Sequence, residues 1–246
     1  MFTLNWKTIA KRSIFEAPNG AKVYQNLMYR WLTFDNRAIH TLINRYQPNH
    51  IELRYIHELT LAVRMKPGAS CLLGLGGAGI AHALLPYLNE IPLHVVEYDQ
   101  EIINIAARYF MTDRLKNMTI FHQDAAQFVA NCNIYYPHLM VDLFDKHSFP
   151  ENCNTKSFFK HCHRILEPEG IMAFNLANFN DHWSLFHRIR EQFGQRTISL
   201  PVKGTANLIV LAYHGDSLSP LLELLKKSAC LKLLTWDEKW GCIGKI

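Results

Sequence analysis

The segment Ser70–Asp99 constrains the fold of this chain more than any other stretch. A short apolar run leads into the glycine-rich turn Gly74–Gly79, a helical pattern follows, and a second apolar run ends at Glu97. This order predicts a strand, a helix and a second strand that form a βαβ unit. Glycines let the backbone approach a ligand, the helix N-terminus supplies free N–H groups, and a carboxylate about twenty residues on binds ribose hydroxyls. We therefore predict a nucleoside site that includes Gly74, Gly76, Gly77, Gly79 and Glu97.

The turn also narrows the chemistry of that site. It lacks the lysine and the hydroxyl residue of a phosphate-binding P-loop, so the sequence does not favour nucleotide hydrolysis. A tight strand-to-helix turn without a ligand would explain the glycines alone. It would not explain why a strand, a helix and an acidic strand end all fall where a nucleoside site needs them.

Composition limits the partners and the compartment. The 246 residues include 26 basic and 21 acidic side chains without a dense Lys/Arg stripe, so we expect no nucleic-acid partner. We expect no membrane association, because no apolar run approaches the length of a membrane span and the N-terminus lacks a signal-peptide core. The six cysteines show no CxxC spacing, which suits the reducing cytoplasm. The cluster His161–His163 does not predict a metal site, because adjacent helical residues point in different directions.

The pattern of the whole chain predicts an α/β protein with two parts. Residues 14–45 read as strands with a turn at Asp35 and Asn36, which predicts a small N-terminal β-hairpin domain over residues 1–50. Strand and helix patterns then alternate through residues 51–246 and end in two strands without a long helix between them. This alternation predicts a Rossmann-like, mostly parallel seven-stranded sheet with an antiparallel hairpin at one edge. Residues 221–234 have the composition of an amphipathic helix.

Acidic residues follow three successive predicted strands. Glu97 and Asp99 end the first, Asp124 follows the second, and Asp142 and Asp145 follow the third. Ligands of such sheets bind beyond the carboxyl ends of the strands, so we expect these carboxylates to lie near one another. Any single one, Asp124 above all, would equally be explained as a helix cap.

These residues resemble the spermidine synthase family, the aminopropyltransferases, which share the fold of S-adenosylmethionine-dependent methyltransferases. The resemblance extends from about residue 14 to residue 178, and the chain looks like a divergent, spermidine-synthase-like member. It includes the N-terminal hairpin and the motifs Tyr55-Ile56-His57-Glu58, Val96-Glu97-Tyr98-Asp99, Asp124-Ala125, Asp142-Leu143-Phe144-Asp145 and Leu166-Glu167-Pro168-Glu169-Gly170.

The resemblance implies a role for each matching position. Glu97 matches the residue that binds the ribose hydroxyls, and Asp124 and Ala125 match the pair beside the adenine. Asp142 matches the acceptor of the substrate amine's proton, Asp145 a carboxylate that holds the polyamine, and His57 a substrate-pocket position. The family also implies decarboxylated S-adenosylmethionine as co-substrate, a polyamine such as putrescine as acceptor, and a homodimer.

Amine chemistry independently favours a pair of acids. A diamine is dicationic at neutral pH, because alkylammonium groups of this kind titrate near ~10. One nitrogen must lose its proton before it attacks a sulfonium carbon, and the distal ammonium needs an anchor. Asp142 and Asp145 are candidates for these two tasks.

One departure keeps other functions open. Gly77 stands where spermidine synthases usually carry an aspartate that binds the amine of the donor. A methyltransferase that uses intact S-adenosylmethionine is the first alternative, because loss of that acid removes a like-charge clash with the carboxylate of the intact donor. A non-catalytic nucleoside-binding relative is the second, because a fold does not guarantee a reaction.

Overall fold

The N-terminal part of the chain forms a small antiparallel sheet of its own. The structure is a computed structural model, and it describes residues 5–34, 38–144, 148–227 and 231–246. After a 3₁₀ turn at Asn5–Thr8, four strands pair in chain order: β1 (Arg12–Glu16), β2 (Ala21–Gln25), β3 (Tyr29–Phe34) and β4 (Ala38–Asn44). The expected hairpin is therefore part of a four-stranded sheet. The predicted turn residues Asp35 and Asn36 lie outside the described residues.

Asn26 separates β2 from β3 within residues 14–45, for which the sequence pattern predicts a turn only at Asp35 and Asn36. Its side-chain Oδ1 accepts hydrogen bonds from the backbone N–H groups of Met28 and Tyr29, at 3.1 Å and 2.8 Å. Such a side-chain-closed turn reverses the chain locally. Because of this turn, β2 and β3 are two adjacent antiparallel strands.

A nine-stranded sheet forms the larger part of the molecule. The seven expected strands are all present, namely β5 (Ser70–Leu73), β6 (Leu93–Glu97), β7 (Met118–His122), β8 (Tyr136–Val141), β9 (Leu166–Leu176), β10 (Thr197–Pro201) and β11 (Leu208–Tyr213). Strands β7, β6, β5, β8 and β9 are neighbours in that order and pair in parallel. Strand β11 is antiparallel to both β9 and β10, so the expected antiparallel hairpin is present, but it does not form the edge, because two further strands lie beyond β10.

A further hairpin extends this sheet. It consists of β12 (Leu233–Asp237) and β13 (Gly241–Lys245), and β13 pairs in parallel with β10. The predicted helix over residues 221–234 is therefore only partly correct, because the helix ends at Lys227 and residues from Leu233 are extended.

Eight α-helices occur in the described parts of the chain. They are α1 (Tyr55–Leu59), α2 (Leu61–Met65), α3 (Gly79–Leu88), α4 (Gln100–Tyr109), α5 (Ala125–Asn131), α6 (Lys156–Arg164), α7 (His182–Phe193) and α8 (Ser219–Lys227), with a 3₁₀ turn at Thr112–Arg114. The spacing of apolar residues over 52–63 predicts one helix, whereas the chain forms two short helices, α1 and α2, that meet at Thr60, where the backbone leaves helical geometry.

The helices cover both faces of the large sheet. Residues of α1, α2, α3 and α8 pack on one face, whereas those of α5, α6 and α7 pack on the other. Alternate residues of β5 point to opposite faces, so Leu72 joins the first core and Leu73 the second. A third apolar cluster joins the small sheet to α4 through Val23, Leu32 and Ile105. The division into domains at residue 50 stays a prediction.

Among the residues that the structure describes, no helix is long and apolar enough to cross a bilayer.

Candidate active site

The carboxyl ends of four parallel strands bring the candidate residues to one edge of the large sheet. Asp142 follows β8, the glycine turn follows β5, Glu97 ends β6, and Asp124 lies just beyond β7. Since these strands are neighbours in the order β8, β5, β6 and β7, the turn lies between Asp142 and Glu97. Glu97 and Asp142 therefore lie on either side of the glycine turn, and Asp124 lies one strand further along the same edge.

Gly74 packs directly against the backbone at Asp142. Its φ is +101°, and a Cβ built there would lie 2.4 Å from the carbonyl oxygen of Asp142. Gly74 N–H also donates to Val96 O on the other neighbouring strand, at 2.8 Å. Only glycine fits such a position, because any side chain would push β5 and β8 apart.

Glu97 is a buried acid that organises the turn. Its Oε1 accepts from the backbone N–H groups of Tyr98 and Asp99, and its Oε2 accepts from that of Leu75 at 3.1 Å. Burial raises the pKa of Glu97, and these backbone donors act in the opposite direction. A carboxylate accepts about four hydrogen bonds. Three are used here, so Glu97 retains capacity for one ribose hydroxyl in this conformation, and binding two would require it to release a backbone donor.

Thr41, on β4 of the small sheet, covers the glycine turn. Its hydroxyl accepts from Gly77 N–H at 2.8 Å. A Cβ at Gly77 would lie 2.9 Å from Thr41 Cγ2 and 3.0 Å from the ring of Phe110. Gly76 and Gly79 also face Thr41, at 3.1 Å and 3.3 Å from where their Cβ atoms would lie. The space of an acidic side chain at position 77 is therefore filled by Thr41 and Phe110.

Asp142 is held by two side-chain donors. The hydroxyl of Tyr55, on α1, donates to Oδ2 at 2.9 Å, and Nδ2 of Asn175, near the end of β9, donates to Oδ1 at 2.7 Å. Asn207 Nδ2 in turn donates to Asn175 Oδ1 at 2.9 Å, which fixes the orientation of the Asn175 amide. These contacts fix the Asp142 carboxylate and leave each of its oxygens able to accept another hydrogen bond.

The environment of Asp142 favours proton uptake. Burial raises the pKa of the Asp142 carboxyl, and the hydrogen bonds from Asn175 and Tyr55 partly oppose that rise. Burial and the adjacent carboxylate raise the pKa of Tyr55 well above its usual value, so the phenol stays protonated and donates. A carboxylate with a raised pKa is a better proton acceptor than one in water.

Asp124 caps a helix, as its position before a helical pattern allowed. Its Oδ1 accepts from Gln127 N–H at 2.9 Å in the first turn of α5, and its Oδ2 accepts from Asn152 Nδ2 at 2.6 Å. Ala125 is buried at the start of the same helix. These contacts fix the Asp124 carboxylate at the sheet edge.

The two predicted substrate residues, Asp145 and His57, do not join Asp142 and Glu97 in the described structure. Asp145 lies outside the described residues. His57 is exposed on α1 and lines a cavity of about 460 Å³ together with Arg54, Arg64 and Lys203. The contact between α1 and Asp142 is made by Tyr55 instead.

Sequence reasoning did not select Tyr55, Asn175 or Thr41 as site residues. Asn175 left a signal, since it is an amide near the carboxyl end of an otherwise apolar strand. Tyr55 belongs to a quoted motif, but nothing in its spacing predicts a contact with a residue 87 positions away. Thr41 left no signal, because its role depends on how the small sheet docks on the large one.

The fold and the site together define a class: an α/β protein with a large mixed sheet, a small antiparallel sheet, and a half-buried aspartate beside a glycine turn. The family model described as "Spermine/spermidine synthase domain" matches residues 55–203, which is more than half of the chain. The chain therefore belongs to the spermine/spermidine synthase family.

Curated relatives agree with that membership. A polyamine aminopropyltransferase of Streptococcus uberis is 26% identical over 156 residues, which cover 60% of this chain and 54% of the relative. A polyamine aminopropyltransferase of Vibrio vulnificus is 24% identical over 193 residues, which cover 71% and 64%. The chain thus spans between half and two thirds of the length of these two relatives.

Solved structures share the fold. A probable spermidine synthase from Corynebacterium glutamicum aligns with a TM-score of 0.68 at 18% identity, over 82% of this chain and 79% of that one. The human methyltransferase-like protein 13 in complex with SAH aligns with a TM-score of 0.60 at 18% identity, over 76% and 97%. At these identities the likeness concerns the fold alone.

Proposed function

We propose that this protein transfers the aminopropyl group of decarboxylated S-adenosylmethionine to an amine such as putrescine. The observation that supports this most is the Asp142 carboxylate, held by Tyr55 and Asn175 with a raised pKa beside the glycine turn. The curated relatives named polyamine aminopropyltransferases favour the same reaction.

The proposed chemistry needs a base and a fixed donor. The neutral amine nitrogen attacks the carbon next to the sulfonium, the N–C bond forms, and the S–C bond breaks to leave a neutral thioether on the nucleoside. The amine has to give up one proton, which Asp142 accepts and later passes to water. Holding both reactants in place supplies much of the rate, and the positioned base supplies a factor of about 10² or more.

The other site residues have proposed roles around this step. Glu97 accepts a hydrogen bond from a ribose hydroxyl of the donor, and Asp124 and Ala125 lie beside its adenine. The glycine turn lets the protein backbone approach the donor closely. Asp145 is the proposed anchor of the distal ammonium. A contact between His57 and the amine stays a prediction. The cationic side chains around His57 argue against it, because they repel an ammonium group. A homodimer and a cytoplasmic location also stay predictions.

Gly77 supports a second candidate function, methyl transfer from intact S-adenosylmethionine. No acid side chain fits at position 77, because Thr41 and Phe110 occupy that space. The donor's amine would therefore find no carboxylate there, and the carboxylate of the intact donor would meet no like charge at that point. Against this, Glu97 and Asp142 make the pocket acidic, which favours the donor with the greater positive charge.

Calorimetric titration with each donor separates the two functions. We expect decarboxylated S-adenosylmethionine to bind at least fivefold more tightly than S-adenosylmethionine, because it carries two positive charges and no carboxylate. The variant Glu97→Gln should weaken the binding of both donors, which would show that the measured heat comes from binding at this site. Tighter binding of intact S-adenosylmethionine would move the protein to the methyltransferases, and binding of neither donor would contradict both functions.

A further inference from the structure

The cavity beside α1 and α2 is a second concave site, separate from the acids of the sheet edge. Its volume is about 460 Å³, within the range of cavities that hold small molecules. Buried Leu61 and Val202 contribute apolar surface, and the residues after β10 close it on one side. The hydrogen bond from Arg54 Nη1 to Lys203 O, at 3.1 Å, joins that loop to the start of α1.

Positive charge dominates the lining. Arg54, Arg64 and Lys203 all face the cavity, and in the described part of the chain none of the three has a carboxylate oxygen within 4.0 Å. Backbone and hydroxyl contacts position Arg64, whose Nη2 donates to His57 O at 2.7 Å and whose Nε donates to Thr60 Oγ1 at 3.1 Å. A guanidinium has five N–H donors, so both arginines retain donors for a ligand.

Glu58 adds an acceptor to this cationic lining. Its Oε2 is buried and has no hydrogen-bond partner among the residues that the structure describes. A buried carboxylate oxygen without a donor is costly, and a small rotation of this cavity-lining side chain would let a ligand hydroxyl satisfy it. The lining thus offers several donors for anionic oxygens and one acceptor for an O–H group.

We propose that this cavity binds a phosphate group, as inorganic phosphate or as part of a small phosphorylated molecule. The arginines and Lys203 receive the anionic oxygens, and Glu58 receives an O–H of the phosphate or of the molecule that carries it. Arginine forks match phosphate oxygens in geometry as well as charge. The charge of Arg64 acts on His57, another lining residue, since it contributes, after burial, to lowering the pKa of His57.

Titration with inorganic phosphate at low ionic strength tests this proposal. The full chain should bind one phosphate, and Lys203→Gln and Arg54→Gln should each weaken that binding about fivefold, the effect of a partly exposed ion pair. Lys160→Gln, which removes an exposed charge on α6, is the matched control and should leave the affinity unchanged. Succinate, which is a dianion without an O–H donor at neutral pH, should bind at least fivefold more weakly than phosphate.

Three results would overturn the proposal: no heat with phosphate, phosphate affinity that is the same in both cavity variants as in the wild type, or equal affinity for succinate. Phosphate that binds at a helix N-terminus elsewhere would leave the affinity unchanged in both cavity variants. Circular dichroism of each variant shows that it is folded. The titration contains neither donor nor amine, so its outcome is independent of the proposed aminopropyl transfer.

Discussion

At the scale of single residues, the account depends on how the Asp142 carboxylate is held. Its raised pKa results from burial, whereas Tyr55 and Asn175 stabilise the charged form by donating to it. Burial therefore makes the group a stronger base, and the two donors oppose that effect by favouring its ionised form. The balance between these effects sets the pH at which the proposed reaction begins to fail.

Tyr55→Phe tests that balance. The variant removes a hydrogen bond to the charged carboxylate, so the pKa of Asp142 rises further and the acidic limb of kcat/KM moves to higher pH. We expect a shift of about one pH unit, from the value of a hydrogen bond to a charged group. Steady-state rates between pH 5 and pH 9 measure it. Tyr135→Phe, at an exposed residue before β8, is the control, and an acidic limb that stays in place in Tyr55→Phe would contradict this role.

At the scale of elements, the close approach of β5 and β8 positions the turn against Asp142. Gly74 and Gly194 both have positive φ, but a Cβ at Gly74 would collide with Asp142 O, whereas one at Gly194 would meet no described atom within 4 Å. Gly194→Ala should therefore cost only backbone strain, about 1–3 kcal/mol in the free energy of unfolding, because its φ of +60° and ψ of −131° form a combination that favours glycine.

Gly74→Ala should cost at least about 1 kcal/mol more than Gly194→Ala, and it should also weaken donor binding, because β8 and Asp142 must shift. Urea unfolding and donor calorimetry on both variants measure the two effects. Equal losses of stability in the two variants, with unchanged donor affinity in both, would show that the contact between β5 and β8 does not hold the site.

The elements also mark how much could be predicted from sequence. The glycine turn and the acids at the ends of β6, β7 and β8 follow from local pattern, and parallel pairing then brings them to one edge. The contacts of Tyr55 with Asp142 and of Thr41 with Gly77 join distant segments, so no local pattern encodes them. The hairpin of β12 and β13 was missed because leucine and lysine there suit a helix equally well, and pairing with β10 decides the outcome.

At the scale of the whole molecule, buried neutral histidines make the fold sensitive to acid. His138 on β8 is 2% exposed, its Nε2 lies 2.6 Å from Lys66 O, and its buried Nδ1 has no partner within the described part of the chain. Burial lowers the pKa of His138 to about 4. Because the unfolded chain takes up the proton at higher pH than the folded one, stability is complete above about pH 6.5 and falls as the pH decreases towards 4.

His138→Gln should reduce this sensitivity. From pH 7 to pH 4 the wild type should lose about 3 kcal/mol of unfolding free energy more than the variant, the amount that the lowered pKa of one histidine corresponds to. Urea unfolding at several pH values measures the difference. His187→Gln, at a surface histidine, is the control and should retain the wild-type pH dependence. A wild-type pH dependence in His138→Gln would contradict the role given to His138.

The most direct test of the proposed function is a product assay with wild type and Asp142→Asn. With decarboxylated S-adenosylmethionine and putrescine, mass spectrometry should detect spermidine from the wild type. Asp142→Asn should bind the donor normally and turn over about 10² times more slowly or worse, because the amine loses its proton acceptor. Asp113→Asn, at an exposed acid, should retain the wild-type rate. Absence of spermidine from the wild type, or an undiminished rate in Asp142→Asn, would contradict the account.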